Sequence, residues 1–290
     1  MYQVLARKYR PRNFNELVGQ NHVSRALSSA LERGRLHHAY LFTGTRGVGK
    51  TTIARILAKC LNCETGVTST PCEVCPTCTA VNDGRFIDLI EIDAASRTKV
   101  EDTRELLDNV PYAPTQGRFK VYLIDEVHML STHSFNALLK TLEEPPAHAI
   151  FILATTEKHK IIPTILSRCQ IYDFKRITIE DIQEHLKKIA EKESIAYEDD
   201  ALYLIAQKAD GALRDALSIF DRLSTFSQKN ITLEKGYNAT NWSPALEDIN
   251  NLIAQKKKDY ATLDKQVIEW QNLIAKNGGN LILNSKDQRN

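Results

Sequence analysis

Apolar positions fall into two regimes along this chain. Up to about residue 175, short continuous apolar runs recur between stretches with apolar residues at every third or fourth position. "HHAYLFTG" (37–44) is a short apolar run ending in Gly, "DLIEIDAA" (88–95) and "FKVYLIDEVHML" (119–130) are rich in Val, Ile and Leu and bounded by polar residues, and "AIFILATT" (149–156) is a further apolar run, which together predict buried strands. "TTIARILAKCLNC" has helical spacing, and "SFNALLKTLEEPP" (134–146) is a helix stopped by a Pro pair. Strands alternating with helices predict an α/β fold, a three-layer α/β/α parallel sheet. Beyond about Lys175 the strand pattern stops. "TIEDIQEHLKKIAEKESI", "DDALYLIAQKAD" and "GALRDALSIFDRLSTF" read as three helices of a small second domain, with a boundary near 175–178.

Composition narrows the class without choosing a function. The chain has 290 residues, enough for two compact domains, with 42% hydrophobic and 26% charged residues. A net charge of +2 gives no global basic field that would argue for a nucleic-acid partner. The opening "MYQVLARKYRPRNF" lacks the apolar core of a secretory leader. No apolar run approaches the ~20 residues of a membrane span. These features lead to the expectation of a soluble, cytoplasmic protein. That expectation bears on "CETGVTSTPCEVCPTC" (63–78), which holds four of the six cysteines as C-x8-C-x2-C-x2-C. A disulfide staple and a metal site both fit the spacing, and a reducing compartment favours the metal.

"GTRGVGKT" fills every fixed position of G-x-x-x-x-G-K-[ST] with Gly44, Thr45, Arg46, Gly47, Val48, Gly49, Lys50 and Thr51, and Thr52 follows. A strand precedes it and a helix follows. Glycines let backbone amides wrap a phosphate, the helix N-terminus adds a positive dipole, Lys50 reaches the β/γ-phosphates and Thr51 holds Mg2+. "VYLIDEVH" delivers Asp125 and Glu126 to the carboxyl edge of the sheet. Asp125 suits Mg2+ and Glu126 suits polarising an attacking water. At the end of "LATT", a hydroxyl of Thr155 or Thr156 could sense the γ-phosphate, and Arg214 in "GALRDAL" could report closure of the small domain. A capping Thr and a solvated Arg are even alternatives for these two.

Together "YQVLARKYRPRNFNELVGQNHV", "HHAYLFTGTRGVGKTTIARILAKCLNC", "DLIEIDAASRTKVEDTRELLDNV", "GRFKVYLIDEVHMLSTHSFNALLKTLEEPP", "ILSRCQ" and "GALRDALS" resemble the gamma/tau family of bacterial DNA polymerase III clamp-loader subunits, within the AAA+ ATPases. The resemblance implies an AAA+ nucleotide-binding domain over 1–175 with an inserted zinc module at 60–80, and a helical lid domain over 176–233. It implies Zn2+ on Cys63, Cys72, Cys75 and Cys78; a closed shell of four thiolates is structural, because it leaves no position for water. Cys60 and Cys169 read as structural thiols. Arg168 in "SRC" resembles the finger that one subunit projects into its neighbour's ATP site. Val18, Gly19 and Gln20 resemble the family's adenine pocket. Arg7, Lys8, Arg10 and Arg12 around Tyr9 fit a nucleic-acid patch as an alternative. Arg97 and Lys99 in "SRTKVEDTR" are the better DNA candidates, set against a solvated helix start.

The implied function is an ATP-binding and ATP-hydrolysing subunit that loads the sliding clamp on primed DNA within the DNA polymerase III holoenzyme. It has no polymerase active site of its own. Its cofactors are ATP, Mg2+ and Zn2+, and its partners are other clamp-loader subunits, the clamp and primer-template DNA. The alternatives are a non-hydrolysing ATP-binding scaffold and a collar-less, truncated or composite AAA+ protein with little activity alone. A helicase, hinted at by "DEVH", would need a second motor domain or a ring. The expected tail, 234–290, stands outside the family pattern. "KGYNATNWSP" reads as a linker. Leu246, Ile249, Ile253, Lys256, Tyr260, Leu263, Val267, Trp270 and Ile274 then form a heptad seam over about 245–276, broken at Lys256 and stopped at Gly278–Gly279. Such a helix either folds back on the lid or pairs with another chain to make an oligomer.

Overall fold

The structure is a computed structural model and describes residues 3–96, 107–227 and 229–232. The elements run α1 (Leu5–Lys8), α2 (Asn21–Glu32), β1 (Ala39–Thr43), α3 (Lys50–Asn62), α4 (Pro76–Asp83), β2 (Leu89–Asp93) and β3 (Lys120–Asp125). They continue as α5 (Thr132–Glu143), β4 (Ala149–Thr155), α6 (Pro163–Leu166), β5 (Gln170–Asp173), α7 (Ile179–Glu193), β6 (Ala196–Tyr197), α8 (Asp199–Lys208), α9 (Leu213–Phe226) and β7 (Asn230–Ile231).

The main sheet has the order β2-β3-β4-β1-β5, with every pairing parallel. Parallel neighbours need crossovers, and the crossover helices cover both faces. Successive strand residues therefore enter different cores. Tyr40, Phe42, Leu123 and Ile152 pack with Leu27 of α2 and with Ile53 and Leu57 of α3. Leu41, Tyr122, Ile124, Phe151 and Leu153 pack with Phe135, Leu138 and Leu142 of α5. Every residue of β1 and β4 is buried, which explains their unbroken apolar runs.

The strand pattern reaches further than expected. β5 pairs with β1 at the sheet edge and buries only Tyr172, so its sequence lacks an apolar run. After residue 175, β6 and β7 pair over two residues each, too short for any periodicity to register.

The helices α7, α8 and α9 form a separate core around Ile182, Leu186, Leu202, Ile205, Leu217 and Phe220. Thr178 caps α7 by accepting from the Asp181 amide at 3.2 Å. The N-terminal segment, expected with the sheet, inserts Leu5 into this helical core. The Leu5 amide donates to Asp221 of α9 at 3.3 Å. Arg97, Lys99, the expected linker and the heptad seam lie outside the described residues.

Candidate functional site

The chain leaves β1 at Thr43, turns through the glycine-rich loop and enters α3 at Lys50. Two glycines are required by space as well as by backbone angle. Gly44 has φ +144°, and a Cβ there would lie 2.7 Å from the Phe174 carbonyl oxygen. Gly47 has φ +80°, and a Cβ there would lie 2.8 Å from the Ala212 methyl. The loop is thus threaded between the exit of β5 and the start of α9. Thr45, Arg46, Val48 and Gly49 complete it, with Val48 buried. The Lys50 ammonium is buried and donates to the carbonyls of Gly44 and Thr45 at 2.7 and 2.9 Å. Burial lowers its pKa, opposed by Glu126 and Asp125 nearby. Thr51 follows on α3, and its hydroxyl donates to Asp125 Oδ2 at 2.8 Å. The expected Mg2+ pair is therefore assembled from two elements 74 residues apart.

Glu126 leaves the end of β3 with φ +47°, which turns it out of the strand. Its Oε2 accepts from the Thr156 amide at 3.2 Å and the Thr156 hydroxyl at 2.9 Å. The hydroxyl expected to sense a phosphate is committed to Glu126 in this structure. Sequence reasoning overlooked His128. Its Nδ1 lies 2.9 Å from Thr155 Oγ1 and 3.4 Å from Glu126 Oε2, and its Nε2 lies 3.2 Å from Glu157 Oε1.

The lid meets the loop directly. The Arg214 amide, in the first turn of α9, donates to the Gly47 carbonyl at 3.4 Å, while the side chain stays exposed. Arg10 comes to the same place: its Nε donates to Thr52 Oγ1 at 3.2 Å. Burial, with repulsion from Arg55, pushes the Arg10 pKa down to about 10; Glu91 opposes this, and Arg214 and Arg7 add to it. Arg55 has its own carboxylate, Glu91, at 2.5 Å. The expected basic patch is therefore divided, since Lys8 pairs with Glu193 at 2.5 Å while Arg10 joins the phosphate loop. Of the expected adenine-pocket residues, Val18 packs on the helical core and Gly19 lies against Ile177. Gln20 is buried, and its side-chain amide bonds the Lys175 backbone both ways, at 2.6 and 3.3 Å. These residues form the seam between sheet and lid.

Arg168 stands apart. It donates to Glu143 at 2.7 Å and to the Thr164 carbonyl at 2.8 Å. Its hydrogen bonds among the described residues involve no residue of the phosphate loop.

Cys63, Cys72, Cys75 and Cys78 converge with their sulfurs within 4.8 Å of one another. All are free thiols. Backbone amides of Cys72, Cys75 and Cys78 donate to the sulfurs of Cys63, Cys72 and Cys75 at 3.4, 3.3 and 3.4 Å. Such donors stabilise thiolates. Burial alone would raise Cys63, but the Cys72 amide and the Thr65 hydroxyl and amide outweigh it and bring the thiol to about 6. Burial pushes Cys78 up. The donor set and its convergence fit a metal ion bound by four thiolates. Cys60 and Cys169 lie outside the cluster, each pushed up to about 12 by burial.

Two anchors tie this cluster to the rest of the fold. Lys59, 1% exposed, donates to Glu73 at 2.7 Å and to Asn82 at 2.9 Å. Arg118 donates to the carbonyls of Cys63 and Glu64, the latter at 3.2 Å.

Comparison with known proteins matches the chain to a family. A family model described as DNA polymerase III, delta subunit, matches residues 19–178. Another, described as the ATPase lid domain of the DNA polymerase III clamp loader subunit, matches residues 181–228. DNA polymerase III subunit gamma of Buchnera aphidicola subsp. Schizaphis graminum is 49% identical over 280 residues, covering 94% of this chain and 77% of its own. The chain belongs to the DNA polymerase III gamma/tau clamp-loader family. DNA polymerase III subunit tau of Escherichia coli is 66% identical to this gamma/tau-family chain over 221 residues, 76% of this chain and 34% of the relative. The chain thus spans about a third of the length of such curated relatives. Subunit tau of Bacillus subtilis is 44% identical over 94% of this chain. A match over 94% of the chain cannot be contained in residues 1–233, so the likeness runs into the tail that was expected to stand outside the family. The solved Holliday junction branch migration motor RuvB of Thermotoga maritima has a TM-score of 0.59 at 23% identity, over 80% of this chain and 72% of that one. That likeness concerns the fold, a parallel AAA+-type sheet with a lid.

Proposed function

We propose that this chain binds and hydrolyses ATP as a motor subunit of a bacterial replicative clamp loader. It loads a sliding clamp onto primed DNA within the DNA polymerase III holoenzyme, together with other clamp-loader subunits. The observation that carries the proposal is the meeting of Thr51 with Asp125, and of Glu126 with Thr156, at the mouth of a complete phosphate loop.

Lys50 exchanges the Gly44 and Thr45 carbonyls for β- and γ-phosphate oxygens. Thr51 and Asp125 would hold Mg2+, which when bound would supply positive charge against the charge developing on the polyphosphate. Glu126 orients the attacking water and accepts its proton. Thr156 responds to the γ-phosphate through its bond to Glu126. Arg10 and Arg214 offset polyphosphate charge where lid and loop meet, so binding favours the closed lid. The seam of Val18, Gly19 and Gln20 borders the base. Arg168 exchanges Glu143 for the γ-phosphate of a neighbouring subunit. Cys63, Cys72, Cys75 and Cys78 hold Zn2+ as a structural ion, since four thiolates close its shell.

The test is ATP turnover in the assembled loader with clamp and primed DNA. Glu126→Gln is expected to keep ATP binding and lose phosphate release. Equal release by wild type and Glu126→Gln would instead favour an ATP-binding scaffold. Arg168→Ala is expected to bind ATP but lose DNA-stimulated turnover.

A further inference from the structure

We propose that His128 is a positioning residue for Glu126, holding the carboxylate that directs the attacking water; the inference rests on the ATPase reading above. Glu126 sits in a turn with φ +47°, so the strand's hydrogen-bond ladder does not fix its direction. Its side chain is 27% exposed, which leaves rotamer freedom for any neighbour to restrict. Among the described residues, the Thr156 hydroxyl at 2.9 Å and His128 Nδ1 at 3.4 Å face its Oε2. On the proposed reading, Thr156 also responds to the γ-phosphate, so its bond to Glu126 is the one that changes during turnover. His128 remains as the constant support.

The ring is fixed on both edges. The His128 side chain is 6% exposed. Its Nδ1 is 2.9 Å from the hydroxyl of Thr155, a fully buried residue at the end of β4. Its Nε2 is 3.2 Å from Glu157, which is itself tied to Lys160 at 2.8 Å. The Glu157 amide donates to the same Thr155 hydroxyl at 3.0 Å. The rigid strand end therefore determines where the imidazole lies, and the imidazole faces the carboxylate. A carboxylate displaced by about 1 Å can cost a hundredfold in rate without touching substrate affinity.

A purely structural His128 would bind the turn to β4 and affect everything together. A positioning residue separates chemistry from binding. In the assembled loader, His128→Ala is expected to lower the hydrolysis rate constant about ten- to a hundredfold with ATP affinity nearly unchanged, while the melting midpoint falls by the few degrees that losing a buried, hydrogen-bonded ring costs. His128→Asn puts an amide nitrogen near the Nδ1 position and is expected to recover most of the rate. In a Glu126→Gln background, His128→Ala is expected to cost nothing further, because both act through one carboxylate. Wild-type hydrolysis by His128→Ala would overturn the proposal. So would a loss of ATP binding parallel to the loss of rate, or an Asn variant no better than Ala. Normal hydrolysis by Glu126→Gln is a separate outcome: it would sink the ATPase role of Glu126, and this proposal with it.

Discussion

Replacing Lys59 with Met tests whether the cysteine cluster is anchored to the phosphate-loop helix by one buried ammonium. Lys59 is 1% exposed and lies on α3, one helical turn before Cys63. Its Nζ donates to both Glu73 oxygens at 2.7 and 2.9 Å and to Asn82 Oδ1 at 2.9 Å, which uses all its protons. Glu73 follows Cys72 directly and adopts φ +63°. Methionine keeps most of the stem's volume and removes the charge. Unpairing a fully buried ion pair costs about 3–5 kcal/mol. The Glu73 side chain, however, is 27% exposed and can recover hydration, so we expect about 2 kcal/mol. For a chain of this size that is a fall of about 4–8 °C in melting midpoint, readable by circular dichroism. With zinc bound, the variant should also release metal at lower chelator concentration, because the residue beside Cys72 loses its tether. Adding Glu73→Gln removes the orphaned charge and should recover part of the loss. A Lys59→Met midpoint within about 1 °C of wild type would refute the reasoning, since no desolvated pair would then have been broken.

Gly47→Ala combines a strained backbone with a 2.8 Å approach to Ala212, and should weaken ATP binding at least about tenfold in a nucleotide titration. Asp88 is fully buried and accepts the amides of Thr115, Gln116 and Gly117 at 2.7 Å each. Asp88→Ala should cost about 2–3 kcal/mol in urea unfolding, because those amides lose a charged acceptor. Metal analysis should find one zinc per chain, and chelation should add four titrating thiols and lower the melting midpoint. Lower pH should ease zinc release, because protons compete for the thiolates.

Elements whose determinants are local were legible in the order of residues. Strands β1 and β4 are buried on both faces, so nearly every position is apolar and the run stands out. The glycine-rich loop between β1 and α3 was legible because its glycines, Lys50 and Thr51 lie close together in the chain and its shape follows from local backbone geometry. The cysteine cluster was legible because Cys63, Cys72, Cys75 and Cys78 recur at the short spacing that suits a metal site. β5 was not, because an edge strand that buries only Tyr172 carries no hydrophobic signature.

The sequence by itself determined the layered parallel sheet, the helical lid and the glycine-rich loop motif between β1 and α3. Only the tertiary structure decided which side chains meet. Thr51 reaches Asp125 across 74 residues, and Arg10 reaches Thr52 across 42. His128 lies two residues from Glu126 in "DEVH", yet its link to Thr155 and Glu157 exists only because β3 and β4 are neighbours in the sheet. The physical reason is directional. Hydrophobic burial depends on residue type and period, which the chain carries locally, whereas a hydrogen bond depends on the position of two atoms to within a few tenths of an ångström. Those positions follow from the packing of whole elements.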